Sequence, residues 1–197
     1  MFSDQKDTIT PLRGPVPLSH FLLRPIIQHG DFVIDATCGN GNDTLMLAEL
    51  VGPNGQVLAF DIQVDAINRT VAKLADMEYG ERVRTIHGGH ETMAQHVVRQ
   101  AKIVLFNLGY LPGGDKDKIT RPETTCTALK ISADILMPGG AILVTIYPGH
   151  SGGDDERIAV EAWASGLPAN EFHVWRMGQI NVTSDAPYLL LIQKASK

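Results

Sequence analysis

Three carboxylates bracket a glycine turn in the first third of the chain. Asp35 and Asp43 flank Gly39-Asn40-Gly41, and Asp61 follows about 20 residues later, where an acid in an α/β nucleotide site meets a ribose. Acids so placed can hold a positive centre and two neighbouring hydroxyls, and they would repel a pyrophosphate. Thr44 stands where a dinucleotide fingerprint would have its third glycine, and no lysine closes the turn as a phosphate loop requires. The turn therefore suits a ligand packed against bare main chain, with a ribose and a cationic centre but no phosphate. S-adenosylmethionine has that chemistry. In this reading Asp61 accepts from the ribose hydroxyls, while Asp35 and Asp43 lie near the sulfonium and the α-amino group. Helix N-capping accounts for Asp43 equally well, and solvation at a strand end is the other reading of Asp61. Cys38, Asn42, Ile62 and Gln63 border the same site. His90 and Glu91, after the third strand, fall where the adenine would lie; helix capping explains Glu91 as well.

A second group of residues should face this turn. Asn107-Leu108-Gly109-Tyr110-Leu111-Pro112 leaves the fourth strand and continues through Gly113-Gly114-Asp115-Lys116-Asp117-Lys118. Methyl transfer to nitrogen is an in-line displacement, so the amine must present a free lone pair. The carboxamide oxygen of Asn107 can hold the amine N–H groups and aim that lone pair without carrying charge. The element resembles the Asn-Pro-Pro-Tyr element of amino-methylating enzymes, with Leu-Gly in place of Pro-Pro. Asn107 also borders the donor side, and a loop Asn bonding main-chain groups is the alternative. Asp115 can take a proton from an ammonium or fix its position. Tyr110 belongs to the same wall. Lys116, Lys118 and Arg121, with Arg13, can meet phosphates; a solvated charge run is the other reading of this segment. Tyr147 and His150, on a further glycine-rich loop ending at Gly153, lie on the same rim. His20, near the start of the first helix, has the least defined role.

The elements that must position these groups alternate. A loop over residues 1–16 precedes a helix over 17–29, capped near Ser19 and kinked at Pro25. Strands are expected at 33–36, 57–60, 83–87, 103–106 and 141–147. Helices are expected from Asn42 or Asp43 to Val51, over 63–78, 91–99 and 122–136, and after Gly153 to about Ser165. Val64, Ile67, Val71 and Leu74 mark the apolar face of the second of these. Pro138-Gly139-Gly140 reads as a turn before the fifth strand. Two last strands, near 171–178 and 187–193, form a hairpin-like pair, one of which can run antiparallel. Strand–helix alternation through five units predicts a mostly parallel α/β sheet with helices on both faces.

Length and charge bound the function. The chain has 197 residues, 44% hydrophobic and 20% charged, which suits one folded domain. No apolar run is long enough to cross a bilayer, and the first residues lack a signal-peptide pattern, so a cytoplasmic location is expected. Cys38 and Cys126 have neither disulfide nor zinc spacing, and no metal is expected. The net charge of −5 gives no bulk attraction for nucleic acid, although a local basic patch is compatible with it.

The strings DATCGNGNDT, GGHE, NLGYLPGGDK and TIYPGHSGG, in this order, resemble a bacterial family of rRNA methylases now associated with methylating the 5-aminomethyl group of the wobble uridine of tRNA. The resemblance spans residues 18–194. It implies a class I methyltransferase (Rossmann-like) fold of seven strands in the order 3-2-1-4-5-7-6, S-adenosylmethionine as donor, and a tRNA anticodon stem-loop as acceptor. It places Asp35, Gly39, Asn40, Gly41, Asn42, Asp43 and Asp61 at the donor site. On the acceptor side it places Asn107, Tyr110, Asp115, Lys116 and His150. By analogy it also implies a homodimer.

Overall fold

The structure, a computed structural model, describes residues 12–109, 119–149 and 153–196. Its seven strands form one sheet in the order β3-β2-β1-β4-β5-β7-β6, as the resemblance implied. At the centre, β1 (Phe32–Asp35) pairs in parallel with β2 (Gln56–Asp61) and β4 (Ala101–Asn107). β3 (Val83–His87) and β5 (Leu136–Ile146) extend the parallel part on either side. β7 (Tyr188–Lys194) inserts antiparallel between β5 and the edge strand β6 (Phe172–Met177).

Central strands are apolar on both faces because helices cover both. Successive side chains of β1 point to opposite sides: Val33 joins a core with Leu23, Leu47, Val51 and Leu74, whereas Ile34 joins one with Phe60, Phe106, Leu129 and Val160. The first core lies under α1 (Pro15–Leu23), α2 (Asn42–Val51) and α3 (Val64–Asp76); the second lies under α4 (Pro122–Ile135) and α5 (Gly153–Ser165). Among the described residues no helix is long and apolar enough to cross a membrane.

Several expected boundaries move for identifiable reasons. α1 stops at Leu23, ahead of Pro25, instead of running to residue 29. Ser19 does not cap it; the hydroxyl is buried and donates to the Val16 carbonyl at 2.8 Å. α3 buries Ala66, Thr70 and Leu74, while Val64 and Val71 are exposed, so the inward face is not the one the valines suggested. The expected helix over 91–99 is a 3₁₀ turn, His90–Gln95. Its buried apolar anchor is Met93, and Val98 stands almost wholly in solvent, so there is no stripe to hold a longer helix. Pro138-Gly139-Gly140 is absorbed into β5, which begins at Leu136 opposite Ala101 and shifts register before Ala141 pairs with Ile103.

Candidate functional site

β1 delivers the chain into the glycine turn at the carboxyl edge of the sheet, next to the ends of β2 and β4. Gly39 and Gly41 both take positive φ, 52° and 79°. At Gly41 a side chain would also meet Thr70 Cα and Oγ1 at 2.9 Å, so glycine is needed for both conformation and close approach to α3. α2 then starts at Asn42 with Gly41 as its N-cap.

The turn is clamped from two sides. Asp61 accepts the Gly39 N–H at 2.9 Å through Oδ2 and the Gln63 N–H at 2.8 Å through Oδ1. It is thus a bonded part of the turn, not merely a solvated strand end, and each oxygen retains a further lone pair. From α3, Arg69 donates to Asn40 Oδ1 at 2.9 Å and Lys73 to Asn42 Oδ1 at 2.5 Å. Two cations therefore do stand beside the turn, but they are engaged with amide oxygens.

A cavity of about 1010 Å³ opens over this turn. Its floor includes Cys38, Gly39, Asn40, Asn42 and Asp43; Asp61, Ile62 and Gln63 line one side, with His90 and Glu91 beyond. Asn107, Arg121 and Tyr147 form the facing wall. Two predicted donor residues are not on the cavity surface. Gly41 lies behind it, against Thr70. Asp35 is fully buried beneath the turn, accepting the Thr44 hydroxyl at 2.6 Å and the Thr37 N–H at 3.2 Å. Burial, with the nearby Asp43 charge adding to it, pushes its carboxyl up to about 7. Asp35 thus braces the turn from below and is not among the residues that line the cavity. Tyr110, Asp115, Lys116, Lys118 and His150 lie outside the described residues.

Asp43 does not cap α2. Its Oδ1 lies 2.5 Å from His20 Nε2, and its Oδ2 accepts Asn107 Nδ2. This second contact settles how the Asn107 amide is turned. The NH₂ must face the carboxylate, so Oδ1 faces away. That oxygen is buried and has no hydrogen-bond partner among the described residues. The Asn107 main-chain N–H is held by Thr37 Oγ1 at 2.7 Å, which ties the end of β4 to the turn after β1.

His90 is buried against the Phe106 ring, and Nδ1 bonds the Ala36 carbonyl at 3.2 Å. A carbonyl only accepts, so Nδ1 carries the hydrogen. Burial lowers its pKa and keeps the ring neutral. The Tyr147 phenol is pushed up by burial and then by the Asp43 charge, so it is a neutral donor. The site thus presents the Asp43 and Asp61 carboxyl groups, a neutral amide oxygen and a neutral phenol.

Sequence reasoning left His20 without a defined role and missed Asp185, Pro187 and Glu156. His20 reaches the site from α1, 23 residues before its partner, with no local signal to mark it. Asp185 and Pro187 line the cavity because β7 runs antiparallel and so starts on the rim, with Tyr188 opposite Ile146. Glu156, buried in α5, accepts the Thr120 and Thr125 hydroxyls, both at 2.7 Å. Thr120 in turn accepts the Gly109 N–H at 2.8 Å, and its own N–H donates to the Gly109 carbonyl at 3.0 Å. These bonds join Gly109 to Thr120 and tie Thr120 to α5.

The sequence profile of a family described as "Putative rRNA methylase" matches residues 57–193. An Arabidopsis thaliana protein named "tRNA (mnm(5)s(2)U34)-methyltransferase, chloroplastic" is 43% identical over 175 residues, covering 83% of this chain and 64% of its own length. The chain thus spans a little under two thirds of that curated relative. A crystal structure of a "putative rRNA-methylase" from Clostridium thermocellum superposes with a TM-score of 0.91 at 43% identity, covering 94% of this chain and 100% of the other. A Streptococcus mutans structure, described as a methyltransferase in complex with SAH, gives 0.85 at 35% identity over 93% and 99% of the two chains.

Proposed function

The chain belongs to the family described as "Putative rRNA methylase" and has the class I methyltransferase fold, and from that premise we propose that it moves a methyl group from S-adenosylmethionine to an amine on tRNA, the 5-aminomethyl group of the wobble uridine. The observation that carries this reading is the Asn107 amide, on the wall of a cavity that also holds carboxylates and turned by Asp43 so that its buried oxygen has no partner among the described residues. The Arabidopsis relative bears the name of that activity, and the Streptococcus relative holds SAH, the form the donor takes after giving up its methyl group.

The residues present fit the donor. Asp61 has one spare lone pair on each oxygen for a ribose diol, and Gly39 offers bare main chain beside it. The site presents no unengaged cation on the glycine turn that would favour a phosphate. When bound, S-adenosylmethionine supplies an electrophilic methyl group on a positively charged sulfur. Asp43 and Asp61 favour that positive charge. Asn107 Oδ1 accepts an N–H of the incoming amine and so fixes where its lone pair points. Tyr147 and Arg121 stand on the acceptor wall, and Arg121, with Lys116 and Lys118, gives the basic contacts for an otherwise acidic protein. A wobble base lies in a single-stranded loop, so turning it into the cavity breaks no base pair.

Two copies acting together belong to the same reading. The edge strand β6 exposes Val174 and Trp175, and sedimentation velocity would detect a dimer. The test of the function itself is incubation with radiolabelled donor and tRNA carrying unmethylated aminomethyluridine. Label recovered as methylaminomethyluridine supports the reading. Label only in ribosomal RNA, or donor binding without transfer, overturns it.

A further inference from the structure

An alkylamine has a pKa near that of lysine, about 10, so at neutral pH the substrate arrives as an ammonium without a lone pair. Something must take a proton before the nitrogen can attack. Of the groups described at the site, Asp43 has both oxygens engaged, His90 is committed to a carbonyl, and Tyr147 is held protonated. That leaves His20.

We propose that His20 is the proton acceptor of the site, with Asp43 holding the imidazole through one oxygen and the substrate-positioning amide of Asn107 through the other; the proposal rests on the amine-methylation reading above. The geometry is a chain of three side chains drawn from three elements: α1, the first turn of α2 and the tip of β4. All three line the cavity. A carboxylate accepts only, so in the resting state Nε2 carries the hydrogen and Nδ1 keeps its lone pair. The adjacent negative charge stabilises the imidazolium once a proton arrives. The His20 side chain is 28% exposed against 14% for Asp43, so the imidazole is the member of the pair from which a proton can pass to water.

The groups facing His20 are few. Among the described residues Asp43 is in contact; Tyr147, Asp185, Asp61, Glu91 and Arg121 share the cavity wall, and Asp35 lies beneath the turn. α1 packs on β5 and β7. β5 has no ionisable side chain. On β7, Tyr188 bonds Glu161, and Lys194 bonds the carbonyls of Ala133 and Leu136. On α1 itself the flanking charges are Arg13 before it and Arg24 at its C-cap.

In the proposed step the N–H bond of the substrate ammonium breaks, directly or through one water. Its electron pair stays on nitrogen and the proton bonds to the imidazole. The freed lone pair takes the methyl carbon as the carbon–sulfur pair returns to sulfur. A secondary ammonium remains, and the imidazolium releases its proton to solvent.

The test is a pH profile of single-turnover methyl transfer for wild type, His20→Asn and Asp43→Asn. At pH 7 His20→Asn should be about 100-fold slower. The deficit should shrink by roughly tenfold per pH unit as the substrate amine begins to deprotonate itself. Asp43→Asn should show a deficit with the same pH dependence, because it releases the imidazole that Asp43 holds. A deficit of the same size at pH 7 and pH 9, or no deficit, refutes the proton acceptor while leaving the methyltransferase reading intact. So does an Asp43→Asn protein that transfers at the wild-type rate at pH 7. A wild-type protein that transfers no methyl group to such tRNA at any pH refutes both.

Discussion

Replacing Asp61 with alanine tests the donor site most directly. The carboxylate bonds Gly39 N–H and Gln63 N–H at 2.9 and 2.8 Å, which leaves one lone pair per oxygen for a ribose diol. A hydrogen bond to a charged acceptor contributes about 1.5–3 kcal/mol by mutation. Asp61 is only partly buried, so the lower figure applies, and two such bonds give about 3 kcal/mol. At 1.4 kcal/mol per decade, that is a loss of about 100-fold in affinity for S-adenosylmethionine. Releasing the glycine turn can only add to it. Asp61→Asn should be little better, because whichever way the amide is turned, its NH₂ meets the main-chain N–H of Gly39 or Gln63. The assay is titration calorimetry with S-adenosylmethionine, alongside melting temperature, which should fall because the Gly39 and Gln63 N–H groups lose their acceptor, and affinity for unmodified anticodon stem-loop RNA, which should change little. A folded Asp61→Ala protein that binds the donor within threefold of wild type would refute this account of the turn.

Asn107→Ala removes the amide oxygen that receives the amine. Single-turnover transfer should fall about 100-fold while donor affinity survives, and unchanged turnover would remove Asn107 from the chemistry. Asp35 carries a pH signature. Its carboxyl is raised from 3.8 to about 7 in the folded protein, so its contribution to stability is fully present below about pH 4 and is lost as pH rises through 7. Asp35→Asn should therefore gain in melting temperature relative to wild type between pH 4.5 and 8; parallel curves would show that Asp35 is not the titrating group. Glu156→Ala leaves the Thr120 and Thr125 hydroxyls without their acceptor and should lower stability by about 2–3 kcal/mol in denaturant unfolding. It should also raise KM for tRNA more than KM for the donor, because the bonds it breaks tie Thr120, on the acceptor side, to α5.

The sequence carried the parts of the site that are local. Gly39-Asn40-Gly41 between an apolar run and a helical pattern folds as expected because strand, turn and helix are all specified within about a dozen residues. Asp61 was legible because β2 must return beside β1, which puts its tip against the turn. Asp35 was placed near the right atoms but on the wrong side of them, since alternation along a strand does not say which face lies under the turn. The 91–99 segment misled because its polar residues are helix-compatible, and the decision rests on Met93 packing beneath α4. His20 was out of reach for a different reason. Its meaning comes from a single long-range contact made when α1 docks across the strand ends, and nothing within one turn of it indicates a carboxylate partner.

β7 lies between β5 and β6, although it follows both in the chain. While residues 188–194 are still within the ribosome, β5 presents a bare hydrogen-bonding edge and β6 has nothing to pair with. The nascent protein can lay down five parallel strands and must then wait. Asp185 and Pro187 reach the cavity rim only when β7 slots in, so the step that covers the open edge of β5 is also the step that completes that rim.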